Sequence, residues 1–178
     1  MKDENLDVFE AIRSRRSIRA FTSEKVSEED VRKLIDAARW APSAGNIQPW
    51  EFIIVRDAEI KRRLSIAALD QTFIEEAPVV IVVCANEMMS GGGYGMRGVT
   101  LYCIQDTAAA IQNILLAAYA LELGTCWVGA FREDDARRIL NVPRSVRPVA
   151  IVPVGHPAEK PSARLKRSIR EIVHYEKF

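Results

Sequence analysis

The chain has 178 residues, of which 48% are hydrophobic and 28% charged, and a formal net charge of +1 at pH 7. That length buries the core of one domain without covalent staples, and so small a net charge gives no global attraction to nucleic acid or to an anionic membrane. Any anion site must therefore be local.

The first residues, MKDENLDVFEAI, are acidic and broken by charge, so they do not read as a signal peptide. Periodicity predicts a first helix over Leu6 to Ser14 with Val8, Phe9 and Ile12 on one side. It is followed by the basic stretch RRSIRAF, Arg15 to Phe21. Ser27 reads as the N-cap of a second helix, with Glu28, Glu29 and Asp30 in its first turn and Val31, Leu34, Ile35 and Ala38 as the buried stripe. Pro42 stops that helix and opens the polar loop PSAGNIQP, and WEFIIV (Trp50 to Val55) reads as a strand. Asp57 caps a helix over Ala58 to Ala68, and the run Val79 to Ala85 reads as a strand buried on both faces.

NEMMSGGGYGMRG, which ends at Gly98, is predicted as a flexible loop because of its glycines. Tyr102 to Leu123 is a long helix, apolar on nearly all sides, with Gly124 as its C′ residue. It should be the central buried helix. Its apolar run Ala108 to Leu121 contains Gln112 and Asn113, too short and too polar for a membrane span. Thr125 to Phe131 is read as a strand, Glu133 to Leu140 as a helix stopped before Pro143, and Pro148 to Gly155 as a strand. A basic tail follows. The absence of repeats and linkers points to one α+β domain. Cys84, Cys103 and Cys126 lack C-x-x-C spacing and read as reduced thiols of a cytoplasmic protein.

The sequence carries no nucleophile elbow, P-loop or Rossmann fingerprint, and neither His156 nor His174 has a metal partner at ligand spacing. A chain without acid–base machinery can leave the chemistry to a cofactor. Arg15, Arg16 and Arg19, with the Ser17 hydroxyl, match phosphate or carboxylate oxygens in paired geometry; a solvated helix end is the alternative. Arg164, Lys166 and Arg167 form a second basic patch, which alone reads as a solvated tail. The small residues of Pro42 to Pro49 let a flat ligand approach the backbone, and Asn46 and Gln48 offer donors and acceptors for a heterocycle edge, although a merely polar connection is the alternative. Gly129 and Ala130 in WVGAF can present bare backbone N–H groups. Gln105 and Asp106, at the start of the central helix, read as a helix cap.

Taken in order, RRSIRAF, APSAGNIQPWEFIIV, EAPVVIVV, QDTAAAIQNILLAA, GTCWVGAF and IREIVHYEKF resemble the nitroreductase family of FMN-dependent oxidoreductases along the whole chain, residues 1–178. The resemblance implies a nitroreductase-like α+β fold, in which a mixed, mainly antiparallel sheet and flanking helices surround a long central helix. It also implies a homodimer with active sites shared between subunits. Arg15, Arg16, Ser17 and Arg19 would grip the FMN phosphate and ribityl chain, joined by Arg164 and Lys166, with Arg167 as a further candidate. Pro42, Ser43, Ala44 and Asn46, with Gln48, would pack on the partner's flavin. Gly129 or Ala130 would offer an N–H to flavin N5, and Gln71 an amide to the pyrimidine edge. Hydride would pass from NAD(P)H through FMN to a small-molecule acceptor such as a nitroaromatic or quinone, in a ping-pong cycle without a catalytic side chain or metal. The alternatives within the resemblance are a dehalogenase or other specialised member of the fold, or a non-enzymatic FMN-binding, redox-sensing protein. The segment Ser90 to Gly98, with Tyr94, Met96 and Arg97, is the candidate for a substrate-facing lid.

Overall fold

A computed structural model describes residues 7–178; Leu6, the expected first residue of the first helix, lies outside the described residues. Helix α1 (Val8–Ser14) begins where the Asp7 carboxylate accepts from Phe9 N at 3.1 Å. Its Ala11 is buried, while Val8, Phe9 and Ile12 are 52–62% exposed, so the face marked by periodicity finds no cover within the chain. Helix α2 (Glu28–Arg39) is capped as expected: Ser27 Oγ accepts from Asp30 N at 2.9 Å, and Val31, Leu34 and Ala38 face inward.

Four strands, β1 (Trp50–Val55), β2 (Val79–Asn86), β3 (Gly124–Thr125) and β4 (Val146–Gly155), form a sheet in the order β1-β2-β4-β3 with every neighbour antiparallel. The mixed character expected of the sheet reduces, among the described residues, to an isolated parallel bridge between Ser17 and Thr125. Side chains alternate across the two central strands, except at a bulge where Val149 is passed over between the Val83–Ala150 and Cys84–Pro148 pairs. Val79, Ile81, Val83, Ala150, Val152 and Val154 pack on α2 and the long helix α6 (Cys103–Ala120). Val80, Val82, Cys84 and Ile151 pack on α3 (Ala58–Ala67), α4 (Phe73–Glu76) and α7 (Glu133–Leu140). Burying a side chain such as Leu34, Leu64, Ile111 or Ile114 contributes about 1.5–3 kcal/mol. Both faces of β2 are thus covered, which accounts for its uninterrupted apolar run.

Four elements differ from the sequence reading. The glycine-rich segment is helical: α5 (Glu87–Arg97) is capped by Asn86 Oδ1, which accepts from Met89 N at 3.2 Å. It kinks at Tyr94 and Gly95 and passes through one π turn (Gly98–Tyr102) into α6. Gly98 is required there for close approach, since a Cβ would collide with the Ser90 carbonyl. The long helix stops at Ala120, and Glu122 takes the left-handed φ of 58° expected of Gly124. Gly124 instead opens β3, where a Cβ would stand 2.8 Å from Ile18. The strand expected to reach Phe131 ends at Thr125, although the same register resumes at Val128, whose N–H and C=O both pair with Ile151 at 2.9 and 3.0 Å. Between them the register sets Cys126 opposite Pro153, which has no N–H to donate. The last strand starts at Val146, earlier than Pro148. No helix among the described residues is long and apolar enough to cross a membrane.

Candidate functional site

Helix α1 ends when Arg15 turns extended (ψ 143°), and the chain then runs as a strap beside β3. Ile18 N donates to Thr125 O at 2.9 Å and the Ile18 side chain is buried, which leaves Ser17 and Arg19 facing the other way. Farther on, Phe21 bridges Pro157, Thr22 N donates to His156 O at 2.9 Å, and Ala158 N donates to Ala20 O at 2.9 Å. The tail is thereby laid back along the strap. Between the two runs lies a cleft of about 790 Å³ whose walls include Arg15, Arg16, Ser17, Arg19, Arg164 and Lys166. Two basic clusters from opposite ends of the chain therefore meet in one cleft, with Glu159 as the acidic residue in its wall.

The cations are not equivalent. Arg16 Nη1 donates to the carbonyls of Arg13 and Arg15 at 2.7 and 2.8 Å, so this guanidinium caps the C-terminal end of α1. Arg16 thus fits the helix-end alternative considered for the cluster. Arg19 lies over the Phe73 ring, 5.8 Å from its centroid. Arg167 turns away to the Glu171 carbonyl at 2.7 Å. Behind the strap, burial pushes the Cys126 thiol up, opposed by the Arg19 charge.

Phe73 links the cleft to the next predicted feature. Gln71, just before α4, donates through Nε2 to Ala68 O at 2.7 Å and to Ala130 O at 3.1 Å. The structure thus joins Gln71 to the Gly129–Ala130 turn, two segments that the resemblance puts on the same ligand. Both turn residues are exposed, and a Cβ on Gly129 would meet nothing within 4 Å.

The loop Pro42 to Gln48 stands apart, and none of its residues lines the basic cleft. It is internally tied: Ser43 Oγ accepts from Gln48 N at 3.0 Å, and Gln48 Nε2 donates to Asn46 O and Oδ1 at 3.1 and 3.2 Å. Gly45, Asn46 and Gln48 all have φ near +55°. Ala44 N donates to Asp106 Oδ1 at 3.1 Å, anchoring the loop to α6. Asp106 is therefore a tether and not the helix cap expected, because α6 continues from the preceding π turn and has no free N-terminus there. Its other oxygen, Oδ2, is buried without a partner, and desolvation raises the carboxyl above the usual carboxylate range. The candidate lid packs here too: a Cβ at Gly45 would meet the Tyr94 hydroxyl at 2.6 Å. Tyr94 crosses the Tyr102 ring edge-on, and Arg97 Nε donates to Tyr102 Oη at 2.8 Å.

Sequence reasoning missed Glu159, Phe73 and the role of Asp106. An acid at the start of a basic tail and an acid at the head of an apolar helix were the available signals, but neither states a partner.

The sequence model described as "Nitroreductase family" matches residues 12–75 and 65–156. A Methanothermobacter thermautotrophicus protein with the provisional name NADH dehydrogenase/NAD(P)H nitroreductase is 37% identical, over 92% of this chain and 84% of its own length. The FMN reductase [NAD(P)H] of Bacillus subtilis is 31% identical, over 96% of this chain and 73% of its own. Among solved structures, the NADPH:FMN oxidoreductase of Vibrio harveyi complexed with NAD+ superposes with a TM-score of 0.89 at 25% identity, covering 96% of this chain and 77% of that one.

Proposed function

The chain belongs to the nitroreductase family, and on that premise we propose that it is an FMN-dependent, NAD(P)H-driven oxidoreductase of small-molecule acceptors, acting as one cytoplasmic domain over residues 1–178. The observation that carries the proposal is the meeting of Arg15 and Arg19 with Arg164 and Lys166 in one cleft, because a phosphate monoester near full ionisation needs more than one cation. The similarity to an FMN reductase and to a flavin oxidoreductase that was solved with NAD+ supports the same reading.

The residues present fit FMN. Arg15, Arg19, Arg164 and Lys166 would take the phosphate with Ser17, while Arg16, committed to the end of α1, would shape the cleft and add long-range charge. Gly129 or Ala130 would offer an N–H to the flavin ring, in a turn held by Gln71, whose carboxamide oxygen stays available for the pyrimidine edge. When bound, the flavin supplies a two-electron relay from a nicotinamide to an acceptor such as a nitroaromatic or quinone. The protein holds the planes in place and excludes water, which requires no catalytic side chain.

Pro42, Ser43, Ala44, Asn46 and Gln48 would complete the site from a second subunit, and two observations support a homodimer. They do not line their own chain's basic cleft. Large apolar residues also stay uncovered on α1 (Val8, Phe9, Ile12) and along the tail (Leu165, Ile169, Tyr175, Phe178), a surface that a second copy would bury. Sedimentation should return a dimer mass; a monomer that retains flavin would overturn the shared-site reading.

Anaerobic stopped-flow tests the function. The FMN-loaded protein is mixed with NADH or NADPH, and the reduced protein then with a panel of nitroaromatics and quinones. Bleaching by at least one nicotinamide and recovery with an acceptor is the expected result. A protein that fails to take up FMN refutes the flavin assignment, and bound flavin that neither nicotinamide bleaches refutes the reductase assignment.

A further inference from the structure

The tail beyond Ala158 forms no strand and is almost wholly exposed, yet it carries Arg164 and Lys166. Among the described residues, its hydrogen bonds to the rest of the chain all go through one side chain. Glu159 Oε1 accepts from Arg19 N at 2.5 Å and from Ala20 N at 3.2 Å. The other bonds made by residues 159–178 are internal to the tail, such as Arg167 to Glu171 O and Ser168 to the Glu171 carboxylate. The backbone pairing that lays the tail on the strap ends at Ala158, and Glu159 extends that attachment onto the backbone of Arg19 itself.

We infer that Glu159 is a positioning residue for the anion site: its carboxylate fixes the strap bearing Arg15 and Arg19 against the tail bearing Arg164 and Lys166. This rests on reading the cleft as the FMN phosphate site. Glu159 takes up the Arg19 and Ala20 amides, so a phosphate in this cleft is left to the side chains and not to these backbone donors. A negative charge in the wall of an anion site opposes the anion, whereas an oxygen accepting from two amides organises it. What the site needs from Glu159 is therefore the acceptor and not the charge, and a glutamine supplies the one without the other.

The test compares the flavin-stripped full-length wild type, Glu159→Ala and Glu159→Gln, each titrated with FMN and with riboflavin, which lacks the phosphate. Glu159→Ala should weaken FMN about 10-fold, the cost of losing two hydrogen bonds that order the site, and leave riboflavin unchanged. Glu159→Gln should bind FMN at least as tightly as wild type. Unchanged FMN affinity in Glu159→Ala overturns the inference, as does equal weakening of both flavins, which would mark a general loss of structure. A Glu159→Gln variant as weak as the alanine variant also overturns it, because the charge would then matter more than the acceptor. A wild type that binds riboflavin as tightly as FMN refutes the phosphate reading itself, a failure distinct from these.

Discussion

Replacing Arg15 and Arg19 together by alanine removes the strap's half of the proposed phosphate grip and leaves Arg164 and Lys166 on the tail side. A hydrogen bond between charged groups contributes about 1.5–3 kcal/mol. If each guanidinium makes one such bond, the pair accounts for roughly 3–6 kcal/mol, and the FMN dissociation constant should rise about 10²- to 10⁴-fold. Arg19 also loses its place over Phe73, about 0.5–1 kcal/mol at an exposed site, and that loss falls on protein stability. Riboflavin makes no phosphate contact, so its affinity should stay within about threefold of wild type. Flavin fluorescence titration of the stripped protein measures both, and repeating it in high salt should weaken FMN on the wild type more than on the variant. FMN affinity that survives in the double variant would refute the reasoning. So would a parallel loss of riboflavin, because the arginines would then support the fold and not the phosphate.

Gly98→Ala drives a Cβ into the Ser90 backbone carbonyl and should cost about 1–3 kcal/mol, read as a lower thermal midpoint; an unchanged midpoint would show that the α5–π turn junction is loose. Asp106→Asn keeps the acceptor for Ala44 N and removes a charge that burial disfavours. Because the native carboxyl lies above its unfolded value of about 3.9, wild-type stability should fall as pH rises from near 4 through the raised native value. The stability advantage of the asparagine variant should then grow over that range and level off above it, as urea titrations at several pH values would show; a constant difference contradicts it. Burial pushes the Cys84 thiol up to about 12, so it should resist alkylation at pH 8 in the native protein and react on denaturation, and rapid native labelling would place it outside the core.

Local rules carried most of the elements. Ser27 and Asp57 cap the helices they were expected to cap, because an N-cap needs only a side-chain oxygen within three residues of the orphan amides. The run Val79 to Ala85, short, apolar and rich in valine, reads as a strand covered on both faces, and β2 is that strand. Pattern misled where packing or pairing, and not residue type, decides. The glycines of the segment ending at Gly98 read as flexibility, while Gly98, just past α5, serves close packing against the Ser90 carbonyl. The apparent strand to Phe131 is interrupted opposite Pro153, a partner distant in sequence.

The candidate site divides the same way. By itself the sequence determined the donor chemistry: forked cations at two ends of the chain, a small polar loop, an open Gly129–Ala130 turn, and the order of segments that marks the family. Residue types and their order are local properties. Tertiary structure alone decided that the two basic ends share a cleft, and that Asp106 and Glu159 hold the loop and the tail in place. Those facts depend on which backbone amide lies within 3 Å or so of which carboxylate. The path of the chain between Arg19 and Glu159, through the whole sheet, sets that distance.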